Sequence, residues 1–131
     1  MKMNSNLADT MPFSKLMGVK IIRAEKDGVI GELLVKEELC TTSGTIHGGA
    51  IMAFADSLGA IAGFLNLPSG SNGTTTTESK TNFLGASLEG SLITGETKPI
   101  HVGRRLSVWQ TRITRPDGKL IALTTQTQMT L

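Results

Sequence analysis

The residues best placed to do chemistry are His47-Gly48-Gly49 and, eight positions after Gly48, Asp56. The glycines open a long apolar stretch, Gly48 to Leu67. At a helix start the first four backbone N–H groups lack partners in the helix, and the dipole there favours negative charge. Glycine also lets a substrate approach the backbone closely. The Gly48 N–H is therefore a candidate donor to a developing oxyanion, with Gly49 beside it. Asp56 stands among Phe54, Ala55, Leu58, Ile61 and Ala62, and an acid in such company needs a reason. It is either a carboxylate that attacks or deprotonates water, or a structural Asp bonded inside the protein. His47 also has two readings: a helix-start residue with a satisfied ring, or a group that shapes the loop and bonds near the reacting atoms.

The elements that position these residues follow from pattern. Pro12 to Met17 suits one or two helical turns, with Pro12 at a first helical position and Gly18 as a stop. Val19–Ala24 and Val29–Val35 are strand-like runs joined by Glu25-Lys26-Asp27-Gly28, a hairpin signal. Cys40 to Gly44 is a polar loop, and His47 to Leu67 is the one strong helix, apolar nearly all round. After the Pro68–Gly73 loop come four extended segments, Thr74–Leu84, Ser91–Val102, Leu106–Arg115 and Leu120–Leu131. Pro116-Asp117-Gly118 turns between the last two. In Thr74–Leu84, strict alternation puts Thr75, Thr77, Ser79, Thr81 and Phe83 on one face, and Thr74, Thr76, Glu78, Lys80, Asn82 and Leu84 on the other. The element order predicts an α+β fold, an antiparallel sheet wrapped round one helix. One domain over residues 1–131 is expected, with 1–11 frayed.

Composition narrows the function. With four Phe, one Trp and no Tyr, the chain lacks the stacking residues of a single-strand nucleic-acid binder, and a net charge of +2 is too balanced for a duplex footprint. A small anionic ligand is still tolerated. One cysteine, Cys40, excludes an internal disulfide and a multi-cysteine zinc site, and a lone thiol suits the cytoplasm. Cys40 itself reads as a small packed residue. With His101 the only other histidine, no metal is expected. The polar first ten residues carry no signal-peptide core, and Asp56 near the middle of the apolar stretch argues against a membrane span.

The run Gly44-Thr-Ile-His47-Gly48-Gly49 with Asp56 in the helix behind it resembles the hotdog-fold acyl-CoA thioesterases, most closely the phenylacetic-acid-pathway type. Glu78-Ser-Lys-Thr-Asn82-Phe83-Leu84, Gly103-Arg104-Arg105 and Asp117-Gly118-Lys119-Leu120-Ile121-Ala122 extend the likeness, which covers about Leu16 to Leu131. The resemblance implies hydrolysis of an acyl-CoA thioester with no cofactor, coenzyme A being part of the substrate. It assigns the acid to Asp56, the oxyanion amide to Gly48 and the histidine to His47. A hydroxyl steadying the acid matches Thr76, or else Thr77. Relatives often carry Asn or Gln six residues before the histidine; here that position is Thr41, whose hydroxyl is too short to reach as far. Gly49, Thr41, Thr77, Lys80, Asn82, Arg104 and Arg105 complete the expected substrate-facing set. The three cations either meet coenzyme A phosphates or are simply solvated.

Spacing adds a further expectation. Gly48 and Asp56 stand about 12 Å apart along a helix at 1.5 Å per residue, whereas both must lie roughly 3 Å from one reacting carbonyl. Two helices packed antiparallel across a two-fold axis would bring Asp56 of one chain to Gly48 of the other. A homodimer with two shared sites is expected, paired further into a homotetramer, since one small sheet cannot cover so apolar a helix. Two other functions fit less well. Hydratases of the same fold use an Asp–His pair in a different local order. A non-catalytic acyl-CoA-binding module would need an added effector domain.

Overall fold

The computed structural model describes residues 6–131. Its centre is the helix α2, Gly48–Leu65, which the sequence extends by one or two residues at each end. Ile51, Phe54, Leu58 and Ile61 fall at helical spacing and are buried with Ala55 and Ala62. Each large side chain so buried contributes about 1.5–3 kcal/mol. Asn66 ends the helix, its backbone N–H returning to the Gly63 and Phe64 carbonyls. By length and composition α2 is apolar enough to cross a membrane, yet half of it is buried inside the protein, against the sheet.

That sheet has six antiparallel strands: β1 (Lys20–Glu25), β2 (Gly28–Leu34), β3 (Thr74–Phe83), β4 (Leu92–Val102), β5 (Leu106–Thr114) and β6 (Leu120–Thr130). Their spatial order is β1-β2-β4-β5-β6-β3, so β1 and β3 are the edges. Extra residues at Ile22, Thr77 and Ile100 interrupt the ladders. Bulges of this kind bend a strand and increase its twist, and here they curl the sheet around α2. At the β5–β6 turn Arg115 holds the Asp117 carboxyl below the usual carboxylate range, chiefly through a direct hydrogen bond.

The helix lies close to the middle of the sheet because two glycines face it. Gly31 and Gly95 are partners across β2 and β4. A Cβ on either would stand 2.6 Å from a Leu58 methyl, with the Phe54 ring behind it. Gly95→Ala should therefore lower stability by about 1–3 kcal/mol, the usual cost of overpacking a filled core. Chemical denaturation at fixed protein concentration measures it, and an unchanged midpoint would mean that the helix has room to rise.

Two expectations need correction. Of the stretch 1–11 expected to fray, residues 1–5 lie outside the described residues. Leu7–Thr10 forms a 3-10 turn with Ala8 fully buried, and Asn6 bonds both backbone polar groups of the β1 start, the Val19 carbonyl and the Ile21 N–H. The short helix α1, Pro12–Met17, follows and stops at Gly18, whose φ of 90° favours glycine. The second correction concerns β3. The bulge at Thr77 resets its alternation, so Thr74 and Thr76 turn inward before it and Ser79 and Thr81 after it. Ser79 and Thr81 thus share the inner face with Thr76, where strict alternation puts them opposite.

Candidate functional site

The loop before α2 is pinned at both ends. Cys40 bridges Ile46, the Thr41 N–H reaches the Thr45 carbonyl, and the His47 N–H reaches that of Leu39. His47 then caps the helix: its Nδ1 accepts the Gly49 N–H at 2.8 Å. A neutral ring accepting on Nδ1 carries its proton on Nε2, so the exposed edge of His47 is a donor. The Gly49 amide is occupied by this cap. The Gly48 N–H has no partner among the described residues, as a first helical amide should not. The exposed Phe83 ring lies over Gly48, close enough that an added Cβ would meet it at 3.2 Å.

A cleft of about 510 Å³ opens beside this helix start, lined by Phe13, Leu16, Leu39, Cys40, His47 and Ala50 among others. Its size falls within the range of small-molecule pockets. Burial, with Glu89 and Glu37 nearby, pushes the Cys40 thiol up, which makes it a poor nucleophile.

Asp56 is half-buried, nearly two helical turns beyond Gly49 in this cleft's helical wall, and it is held from the sheet. The Thr76 hydroxyl donates to Asp56 Oδ1 at 2.6 Å and the Gln126 amide donates to the same oxygen at 3.1 Å. Oδ2 accepts nothing from the described residues and is not enclosed. The carboxylate is thus fixed by one oxygen and open at the other. Along α2, Gly49, Ala53, Asp56, Ala60 and Phe64 recur at helical spacing and are all incompletely covered. Asp56 therefore sits in an open stripe, next to the free edge strand β3.

The structure brings Asp56 and Thr76 together, and leaves Gly48, Gly49 and His47 together at the helix start. Thr77 is the bulged residue, exposed, with its hydroxyl 3.5 Å from the Thr127 carbonyl. Thr41 is exposed and its hydroxyl turns into its own loop, towards Ser43 and the Thr45 carbonyl. Lys80 is exposed and donates to Asn82. Arg104 and Arg105 lie in the exposed β4–β5 turn. The two basic groups are far apart within one chain. The Arg105 carbonyl bonds the Thr130 N–H, whereas Lys80 stands opposite Thr125 and Asn82 opposite Leu123. At about 3.4 Å per strand residue the separation along β6 is roughly 17 Å for Lys80 and roughly 24 Å for Asn82.

Sequence reasoning missed Gln126 and Gln128. Both are 1% exposed on the inner face of β6, and Gln128 donates to the Thr76 hydroxyl at 2.6 Å. The sequence holds part of the signal, which the strand order completes. Two glutamines two apart in a strand share a face, and Gly59 and Gly63 four apart in a helix share another. A Cβ on Gly59 would stand 2.1 Å from Gln126 Oε1, and one on Gly63 3.0 Å from the Gln128 side chain. The glycines are the notches through which the glutamines reach.

A curled antiparallel sheet on one central helix, with an unpartnered amide at the helix start and an acid in its open stripe, is the hotdog architecture. The chain belongs to the thioesterase superfamily, whose family model matches residues 43–122, and it is a hydrolase of thioester bonds. It is 36% identical over 77 residues to the 1,4-dihydroxy-2-naphthoyl-CoA hydrolase of Escherichia coli, a match covering 59% of this chain and 55% of that protein. The structure of a thioesterase from Haemophilus influenzae superposes with a TM-score of 0.81 at 26% identity, covering 88% of this chain and 79% of that one. The PaaI protein of the Escherichia coli phenylacetic acid degradation operon superposes with a TM-score of 0.83 over 94% of this chain and 86% of its own, at 20% identity, a likeness of fold.

Proposed function

We propose that this protein hydrolyses acyl-CoA thioesters in a site shared between two subunits. The observation that carries the reading is Asp56, clamped through Oδ1 and open at Oδ2. A thiolate leaves readily, thiols having a pKa of about 8.5, so the reaction needs no strong general acid. It needs a carboxylate that attacks the carbonyl or takes a proton from water, and a donor for the oxygen that becomes negative. Asp56 Oδ2 supplies the first and the unpartnered Gly48 N–H the second. His47 Nε2–H and the apolar cleft lie beside that amide and orient the thioester. Arg104, Arg105 and Lys80 are the exposed cations available to coenzyme A phosphates.

The 12 Å or so between Gly48 and Asp56 along α2 supports a site completed by a second chain. So do the open stripe around Asp56 and the free edge of β3, which suits pairing with its mate across a two-fold axis. The assembly is at least a homodimer, paired into a homotetramer, and the lone Cys40 thiol fits the cytoplasm. No nucleic acid or membrane enters this reading.

A panel of acyl-CoAs, with free thiol release as the readout, tests the activity. Turnover of at least one is expected, and saturable binding without thiol release from any would count against it. Sedimentation tests the assembly: a dimer or tetramer is expected, and a fully active 13.9 kDa monomer would exclude the shared site.

A further inference from the structure

Behind Asp56 the hydrogen bonds of four side chains all run the same way. The Thr74 hydroxyl, which also lies 3.2 Å from the Met129 carbonyl, donates to Gln128 Oε1 at 3.0 Å. The Gln128 amide presents its other end onward, and its Nε2 donates to Thr76 Oγ1 at 2.6 Å. A threonine hydroxyl has one proton to give. With its oxygen already accepting from Gln128, Thr76 commits that proton to Asp56 Oδ1 at 2.6 Å. Gln126 Nε2 adds a second donation to the same oxygen at 3.1 Å. Gln126 and Gln128 are 1% exposed, and the Gln126 carbonyl oxygen is buried without a partner. A buried unpaired acceptor costs free energy, so the amide is not oriented for its own satisfaction. It is turned so that its N–H faces the carboxylate.

We propose that Thr74, Gln128 and Gln126 are positioning residues for hydrolysis, forming with Thr76 a directed donor chain that ends on Asp56 Oδ1 and leaves Oδ2 as the only reacting oxygen. The inference rests on Asp56 being the catalytic acid. The two donors on Oδ1 hold the plane of the carboxylate, so that Oδ2 meets the carbonyl without searching, and a misplacement of about 1 Å costs on the order of 100-fold in rate. Gly59 and Gly63 belong to the device, since a side chain on either would displace the glutamine above it.

The test is a set of double-mutant cycles read in kcat and KM separately. Gln128→Met keeps the length of the side chain and removes the donor. It should lower kcat about tenfold, the size of one lost hydrogen bond to a charged network, with KM within about twofold. Thr76→Val should lower kcat at least as far, and Thr76→Ser, which restores the hydroxyl, should recover most of that loss. Because Gln128 acts through Thr76, Gln128→Met in the Thr76→Val background should cost nothing further. Gln126→Met reaches Asp56 by its own bond and should lower kcat again in that background. Thr74→Val reads the same chain from its far end should Gln128→Met not assemble, with a kcat loss that also vanishes beside Thr76→Val. A wild-type kcat in Gln128→Met, a loss carried by KM alone, or losses that multiply between positions 128 and 76 would overturn the chain. Asp56→Asn run alongside separates the two failures: if it is inactive while the chain variants are not, the chain fails and the acid stands, and if it remains active the assignment of the acid has failed first.

Discussion

Asp56→Asn should leave the fold and the subunit assembly intact and lower thioester hydrolysis by at least about 100-fold, within the range that a positioned acid–base group contributes. Both donors to this side chain converge on Oδ1, from Thr76 and from Gln126. An asparagine carbonyl oxygen can accept both, which places its NH₂ where Oδ2 stood. The substitution therefore keeps the two structural hydrogen bonds and replaces only the oxygen that faces outward. An amide nitrogen neither attacks a carbonyl nor takes a proton from water at neutral pH. Thermal unfolding and sedimentation should match the parent protein while thiol release is lost. Activity within tenfold of the parent, less than about 1.4 kcal/mol of transition-state stabilisation, would make Asp56 a structural carboxylate. Label found in the aspartate after a single turnover in isotope-labelled water would establish attack by Asp56, since only a covalent intermediate opened at the aspartyl carbonyl leaves it there.

The contrast between Asp56 and its supports shows what a sequence can hold. Each strand and both α-helices follow from local signals: Pro12 and Gly18 around α1, Asp27-Gly28 and Asp117-Gly118 at hairpins, and one long apolar run, broken by Asp56-Ser57, for α2. His47-Gly48-Gly49 and Asp56 are visible because an amide at a helix start and an acid among apolar residues are unusual on their own terms. Gln126, by contrast, is an ordinary polar residue in a Thr-rich strand until β6 is known to lie between β5 and β3, with its inner face under α2. The Thr77 bulge is equally hidden. It is fixed by the pairing of Thr76 with Gln128 and of Glu78 with Thr127, a property of two strands together. Because a shift of one residue exchanges the faces of a strand, that bulge decides that Ser79 and Thr81 join Thr76 on the inner side. The distance between Arg105 and Lys80 likewise depends on strand order, which composition does not contain. The cap on His47 was one of two readings open in the sequence, and the 2.8 Å bond from Gly49 shows the ring acting as the cap, with Nε2 still free.

Mixing two inactive variants should restore activity if the site is shared. Gly48→Pro removes the candidate oxyanion donor, and Asp56→Asn removes the carboxylate. The local structure suits the proline. The Gly48 N–H has no partner among the described residues, position 48 is the first of α2, and His47 before it is extended at φ −70°, ψ 136°, the conformation that a following proline requires. The new ring meets Phe83, which is 51% exposed and has room to turn outward. Each variant alone should be nearly inactive and should still assemble. After subunit exchange, a heterodimer holds one site with both defects and one with neither, provided that Gly48 comes from one chain and Asp56 from the other. A random mixture is about half heterodimer, so roughly a quarter of the parent activity should return. If both groups instead act within one chain, every site in the mixture keeps one defect and nothing is regained. Exchange must be verified independently, for instance by mass spectrometry of differently tagged chains. Confirmed exchange of two folded variants with no recovery would refute the shared site, and the roughly 12 Å of helix between Gly48 and Asp56 would then have to be bridged within one chain.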